Sequence, residues 1–324
     1  MLDKLDNIFT NNPDVIAYEV NNDSITYKEL FDKAYYYSDY IKGYNNIIIY
    51  GDKSINFFIT IFACLIAKRT YIPINKDAPL DRIKRIINNT SASLIITDDI
   101  LNIDNIYICS LKNINRVYNN LNIENDIAYI INTSGSTGIP KSVPISYDNL
   151  NNFINWICNI YPLNNYKNKV VLNQAHFSFD LSVADVFYSM CNGHTLVSIN
   201  DINNYNEVFN IIKKINIAFI TPTFVKLLLI NPDFNFNNFP NLECCYFCGE
   251  ILDINTVKKL YSRFPQVNII NAYGTSEATS AVSAISISRD MLDSKILPVG
   301  DMSNNACNIE IIDNEIVLKG KSVF

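Results

Sequence analysis

Residues Thr133-Ser-Gly-Ser-Thr-Gly-Ile-Pro-Lys141 concentrate more chemistry than any other stretch of the chain. The segment holds four hydroxyls (Thr133, Ser134, Ser136, Thr137), two glycines (Gly135, Gly138) and one ammonium (Lys141). It follows an apolar run, residues 127–132, that reads as a buried strand. Phosphate oxygens need many short donors at close approach. Backbone N–H groups beside glycine, small hydroxyls and a lysine supply them. The bland alternative is a solvated Ser/Gly turn. A Walker A loop is excluded, because it needs glycine directly before its lysine and Pro140 stands there.

Other polar residues fall in similar places. Asp180 sits between Phe179 and Leu181, where a carboxylate is costly unless it meets a cation or caps the helix that follows. Cys248 comes directly after an apolar run and before Gly249 and Glu250; an ordinary buried cysteine is the competing reading. Tyr273 and Glu277 frame Gly274 just past another such run. Either could instead be a core ring and a solvated glutamate. Only nine glycines serve the chain, and Gly135, Gly138, Gly249, Gly274 and Gly300 all lie at or near expected strand ends. Open α/β sheets place their ligands there. Cys245 and Cys248 have CxxC spacing, but no second pair exists and the only histidines are His176 and His194. A metal or redox site is therefore not expected, and neither histidine is given a catalytic role.

The elements that must position these residues alternate. Strands are expected at 46–50, 93–97, 127–132, 169–172, 194–198, 217–221, 243–247 and 267–271. Amphipathic helices are expected at 26–41, 54–67, 79–88, 147–161 and 254–263. The pattern implies an α/β architecture with mostly parallel sheets. The polar stretch 113–126 marks a candidate boundary, giving a first α/β subdomain over 1–120 and a second over 121–300. Residues 308–312 and 315–318 flank Asp313-Asn314 and read as a β-hairpin that opens a third, β-type unit over 301–324.

Hydrophobic residues make up 48% of the 324 and charged residues 18%, so a large buried core is expected and wholesale disorder is not. The net charge of −6 argues against a general nucleic-acid binder. The sequence has no basic start followed by an apolar run, and no apolar stretch near 18 residues. It reads as a cytoplasmic protein without membrane insertion and with free thiols.

Thr133–Lys141 resembles the phosphate loop of the adenylate-forming (AMP-binding) enzymes, which include acyl-CoA synthetases and nonribosomal adenylation domains. Four further segments match in the family's order: Ile25-Thr-Tyr-Lys-Glu-Leu30, Ala67-Lys-Arg-Thr-Tyr-Ile-Pro-Ile-Asn75 with Pro79 and Arg82, Phe177-Ser-Phe-Asp-Leu-Ser-Val-Ala-Asp185, and Asn271-Ala-Tyr-Gly-Thr-Ser-Glu277. Together they span nearly the whole chain. Residues 173–182, 246–250, 277–282 and 297–300 most resemble the members that load D-alanine onto a carrier protein.

The resemblance implies two stacked α/β subdomains and an ATP-dependent reaction in two halves. An aminoacyl-AMP forms first, and the acyl group then passes to a phosphopantetheinyl carrier protein. It implies nucleotide contacts from Thr133, Ser134, Gly135, Ser136, Thr137, Gly138, Lys141, Gly249, Glu250, Asn271, Ala272, Tyr273, Gly274 and Ser276. Lys141, Ser276 and Glu277 are the implied catalytic groups, with Glu277 holding Mg²⁺. The amino acid would meet Phe179, Asp180, Cys248 and Val282. Asp180 would take its α-ammonium, and Cys248 would help select D- over L-alanine. An acyl-CoA synthetase needs no such aspartate. Activation of another small amino acid, and a module that binds without turnover, remain alternatives.

Two positions depart from the family pattern. Ser142 stands where glycine usually follows the loop lysine, and Thr275-Ser276 replaces Pro-Thr. The family's C-terminal lid, with its bridging lysine and ribose-binding aspartate, would lie beyond Phe324, so low activity of the isolated chain is expected.

Overall fold

The computed structural model describes residues 2–114, 126–134, 140–300 and 304–324, with backbone only for Leu2, Ser134 and Pro140. The first elements are α1 (Leu2–Asn11), β1 (Ile16–Val20), β2 (Asp23–Thr26), α2 (Tyr27–Ile41), β3 (Asn46–Tyr50), α3 (Ile55–Ile66), β4 (Thr70–Ile74), α4 (Leu80–Thr90), β5 (Ala92–Ile96) and β6 (Tyr107–Cys109). Local chemistry sets several of their ends. Thr26 and Glu29 form a reciprocal capping box at the start of α2. Ser54 accepts from Phe57 N to open α3. Lys68, at φ +51, turns the chain out of α3 into β4.

There follow β7 (Ile127–Ser134), β8 (Pro140–Ser146), α5 (Tyr147–Ile157), β9 (Val170–Asn173), α6 (Leu181–Asn192), β10 (Thr195–Ser198), α7 (Tyr205–Ile212), β11 (Ile217–Ile220) and α8 (Pro222–Leu228). The remainder is β12 (Cys244–Phe247), α9 (Ile254–Arg263), β13 (Asn268–Tyr273), β14 (Ser283–Ser286) and the hairpin β15 (Asn308–Ile312) with β16 (Glu315–Lys319). Helix α5 stops at Ile157, four residues short of the expected end. Asn159 N turns back onto Trp156 O in a tighter i→i−3 bond, and Pro162 follows.

Two mixed sheets result. One has six strands in the order β6-β5-β3-β4-β7-β8, the other eight in the order β14-β13-β12-β11-β9-β10-β1-β2. All pairings are parallel except β7 with β8, β1 with β2, and β13 with β14. The α/β class expected from the alternation is observed. The sheets cut across the sequence division at residue 120. Strands β1 and β2 join the eight-stranded sheet, and β7 and β8 join the six-stranded one.

The isoleucine run of β3 shows why such strands read as unbroken apolar stretches. Ile47 and Ile49 face the central core shared with α2, α3, α5 and α6, while Ile48 faces the outer layer with Ile83 and Ile86 of α4. On the far side of the eight-stranded sheet, α7, α8 and α9 cover a third cluster around Phe234 and Phe264. Each fully buried Ile or Phe contributes about 1.5–3 kcal/mol. The layers leave the ends of β4, β7, β9 and β13 facing one gap between the sheets.

Candidate active site

A cleft of about 420 Å³ opens at those strand ends. Its first wall comes from the six-stranded sheet: Pro73 to Asn75 at the end of β4, Arg82 on α4, and Ile131 to Thr133 at the end of β7. Its second wall comes from the other sheet: Ser178 to Asp180 before α6, and Ser276 after β13. Strand ends of a mostly parallel sheet are where such ligand clefts form.

Asp180 stands directly before α6, at the N-cap position, but its side chain does not cap the helix. Its backbone is already helical, and its side chain makes no cap hydrogen bond. Instead the carboxylate accepts from Ser276 Oγ at 2.6 Å. Burial raises its pKa, against the pull of the Ser276 hydroxyl. A partly buried, desolvated carboxylate without a cation favours a positively charged ligand.

The segment that carries Asp180 is tied at its root. Lys53, in the β3–α3 turn, is 2% exposed and donates to Asn173 O, Asn173 Oδ1 and Gln174 O at 3.3, 3.1 and 3.1 Å. Asn173 Nδ2 in turn donates to both carboxylate oxygens of Asp185, each at 2.9 Å. Desolvation lowers the Lys53 pKa to about 7, while Asp185 pulls it up. This buried Lys–Asn–Asp relay joins the two sheets and brackets the Asp180 segment on both sides. Sequence reasoning missed it, since an isolated lysine carries no spacing signal.

Behind the cleft lie buried groups with little freedom. Cys248 is buried, and its Sγ lies 4.0 Å from Ser280 O. Burial, then the Asp180 charge, pushes its thiol up to about 12, so it is a neutral wall rather than a nucleophile. Val282 is fully buried beside β13, its N–H donating to Tyr273 O at 2.8 Å. Tyr129 and Tyr246 are buried with unpartnered hydroxyls. Burial raises both strongly. Tyr71 adds to the shift at Tyr129 and Cys248 at Tyr246, and Asp180 contributes to each. These two tyrosines, read in the sequence as ordinary strand residues, thus bring polar groups toward the Asp180 end. Phe179 stands exposed at the cleft mouth.

The loop after β13 is shaped by close approach. A Cβ on Gly274 would meet Ala281 Cα at 2.3 Å and Ser280 O at 2.5 Å, so only glycine fits. Thr279 and Ser280 both adopt left-handed backbone, φ 60° and 72°. Thr279 Oγ1 fastens this turn to Ser322 O at 2.8 Å, and Phe324 N donates to Glu277 O at 2.8 Å.

Lys141 and Glu277, both expected to act on phosphate, meet in an ion pair of 2.7 Å. The Lys141 hydrogen bond lowers the Glu277 pKa. The pair is half-exposed, so screening leaves it little worth in stability. Of the other expected residues, Gly135, Ser136, Thr137 and Gly138 lie outside the described residues, as do the side-chain contacts of Ser134. Thr133 is described and lines the cleft. Ala272 is buried in β13, and Tyr273 ends that strand half-buried. Asn271 turns its amide to Pro298 O at 2.8 Å, and Glu250 turns its carboxylate to Thr223 N and Oγ1 at 2.9 and 2.6 Å. Gly249 has open space at its Cβ position and φ +89°. His194 is a core residue: it accepts from Lys169 N, its ring meets Tyr188 OH at 3.3 Å, and burial lowers its pKa to about 4.

The fit to a divalent cation can be judged from the donors. Among the described residues no cluster of three His, Cys, Asp or Glu side chains exists. Glu277 alone, next in sequence to the cleft residue Ser276 and with phosphate oxygens as co-ligands, would fit the way Mg²⁺ is usually held, through one or two carboxylates plus substrate phosphates.

The model of the family described as "AMP-binding enzyme" matches residues 5–322. The chain belongs to the AMP-binding enzyme family. Members of this family form acyl-adenylates from ATP. The chain is 33% identical over 355 aligned positions to a D-alanine–D-alanyl carrier protein ligase of Bacillus velezensis, covering 100% of this chain and 70% of the relative. A ligase of the same name from Bacillus licheniformis is 34% identical, over 89% of this chain and 61% of its own. Among solved structures, the Vibrio cholerae adenylation domain AlmE bound to glycyl-adenosine-5'-phosphate superposes with a TM-score of 0.82 at 22% identity, over 99% of this chain and 70% of that one. The Klebsiella oxytoca NpsA N-terminal subdomain with anthranilyl-AMSN gives 0.83 at 19% identity, over 100% and 87%. At that identity these two likenesses speak to fold. No helix among the described residues is long and apolar enough to cross a membrane.

Proposed function

We propose that this chain carries the adenylation site for a small amino acid, D-alanine, whose activated acyl group then passes to a phosphopantetheinyl carrier protein. The observation that carries the amino-acid part is the pairing of Asp180 with Ser276 at the cleft. A carboxylate raised by burial gains most from an ammonium, and a hydroxyl at 2.6 Å from it stands where the substrate's other end meets phosphate. The D-alanine part is supported by the two relatives' names and by the burial of Cys248 within the electrostatic reach of Asp180.

In this reading the substrate carboxylate oxygen attacks the α-phosphorus of ATP, the bond to the β-phosphate oxygen breaks, and pyrophosphate leaves. Asp180 holds the α-ammonium and so fixes the direction of the carboxylate. Lys141 releases Glu277 and turns to the phosphates, where negative charge accumulates. Ser276 Oγ, freed from Asp180 once the ammonium arrives, becomes a donor to the α-phosphate. Glu277, freed of Lys141, is the carboxylate that would hold Mg²⁺, which would neutralise phosphate charge when bound. Tyr273 stacks on adenine and Cys248 crowds the position that an L-side chain would occupy. The hairpin β15–β16 begins a further β unit, and the protein works in the cytoplasm.

The test is to incubate the chain with ATP, Mg²⁺ and one of D-alanine, L-alanine, glycine or D-serine, and to quantify aminoacyl-AMP by mass spectrometry. D-alanyl-AMP should dominate. Equal or greater L-alanyl-AMP overturns the D-alanine assignment. No adenylate from any amino acid favours a module that binds without turnover.

A further inference from the structure

The first wall of the cleft carries polar atoms that the reading above does not use. Asn132 and Ser142 are register partners across β7 and β8, so their side chains share one face. Ser142 Oγ donates to Asn132 Oδ1 at 2.7 Å, which orients the amide. Asn132 Nδ2 is then left as a donor without a partner, on a residue only 8% exposed that lines the cleft. A buried donor left unpaired costs about 1–3 kcal/mol, so a site built this way gains by receiving an acceptor. Arg82 lies beside it. Its Nη2 donates to Asn132 O at 3.1 Å, and it is the one Lys or Arg among the described residues lining the cleft. The guanidinium keeps further N–H groups for a ligand.

The serine is what the family pattern lacks. Glycine usually follows the loop lysine and has no hydroxyl with which to hold the amide.

Resting on the adenylation reading, we propose that Arg82 and Asn132, with Ser142 orienting the amide, form a subsite for the pyrophosphate end of the nucleotide. The wall presents a cationic fork and a fixed amide donor, which match anionic oxygens. The neighbouring residue, Thr133, opens the phosphate loop. The substrate's own anionic oxygens are the other source of that chemistry, but its anchor, Asp180, lies on the opposite wall. Asn75 Oδ1, also unpartnered, and the Asp77 carboxylate line the same cleft. These two acceptor groups are assigned no contact with phosphate. Ser142 and Asn132 are positioning and binding groups here, and neither touches the reacting phosphorus.

Titration calorimetry with inorganic pyrophosphate, AMP and D-alanine, each alone, tests this on the wild-type chain and on Arg82→Gln, Asn132→Ala and Ser142→Gly. Loss of a charge-assisted donor should weaken pyrophosphate roughly tenfold in Arg82→Gln. Ser142→Gly, which restores the family's residue and so keeps the fold, should weaken it about threefold. AMP and D-alanine affinities should stay within about twofold. Unchanged pyrophosphate affinity in Ser142→Gly and Arg82→Gln overturns the proposal. So does a loss confined to D-alanine, which would assign the donors to the substrate carboxylate. A wild-type chain that binds AMP but not pyrophosphate sinks this inference alone; one that binds neither AMP nor D-alanine sinks the adenylation reading with it.

Discussion

Ser276 donates its hydroxyl to Asp180 across 2.6 Å, joining the loop after β13 to the start of α6. Two residues 96 positions apart thereby meet where the ends of an amino acid and a phosphate would meet. In the proposed reading Ser276 is a placeholder, which satisfies the carboxylate in the free protein and would be released when an ammonium takes over.

That arrangement makes Asp180 costly until ligand arrives. Its folded pKa is raised by burial, so the folded protein favours the protonated acid. Its contribution to stability is therefore present at acidic pH and lost as pH rises through the folded value. Asp180→Asn should melt no lower than wild type at pH 7, with its relative advantage vanishing near pH 3. The same variant should weaken D-alanine by roughly a hundredfold or more, since an ammonium loses its buried partner. Thermal melts across pH and D-alanine titrations check both halves. A lower melting temperature at pH 7 with unchanged D-alanine affinity would contradict this account of the carboxylate.

The Lys141–Glu277 pair should separate activity from stability. Both side chains are well exposed, 54% and 39%, so the pair adds little to folding. Lys141→Met should shift the melting temperature by about 1 °C or less. Adenylate formation should fall roughly 10²–10³-fold, the scale for removing one transition-state donor. Stopped assays with D-alanine beside a melting curve settle it.

Cys248 should act by bulk, not by chemistry. With its thiol pushed up to about 12 it stays protonated at ordinary pH, so iodoacetamide at pH 8 should leave it unmodified in the folded chain. Cys248→Ala opens the wall, and L-alanine should gain roughly tenfold relative to D-alanine. Mass mapping of alkylated peptides and paired substrate titrations are the readouts. An unchanged D/L ratio removes Cys248 from the specificity wall.

Gly274 tests the shape of the loop itself. Gly274→Ala drives a methyl into Ala281 Cα and Ser280 O, with no flexible side chain to yield. Denaturant unfolding should show a loss of about 3 kcal/mol or more. Gly249→Ala is the control: its Cβ meets nothing within 4 Å, so only backbone strain at φ +89° remains, about 1 kcal/mol.

How much of this was legible beforehand depends on how local the signal is. Strand β3 was read to its exact ends, because an unbroken isoleucine run between polar residues has one sensible place in a parallel sheet. Asp180 was legible as a carboxylate in an apolar setting and Ser276 through the family resemblance, but their contact was not. The same holds for Lys141 and Glu277. Which sheet each strand joins was not legible, because β1 pairs with β10 and β7 with β4, far away in sequence, which periodicity does not encode. Lys53, Asn173 and Asp185 were invisible for the same reason: a buried charge shows itself only when its partners are assembled. Asn132 and Ser142 lay in plain view on either side of the phosphate motif, and antiparallel pairing of β7 with β8 is what turned two polar letters into one oriented donor.

The most direct measurement is D-alanine-dependent exchange of labelled pyrophosphate into ATP, run with wild type, Asp180→Asn and Lys141→Met on the chain. Exchange that requires D-alanine, exceeds that with L-alanine, and collapses in both variants is the predicted result. Exchange that is absent with every amino acid, or present and indifferent to Asp180, would contradict the claim that this cleft is an amino-acid adenylation site.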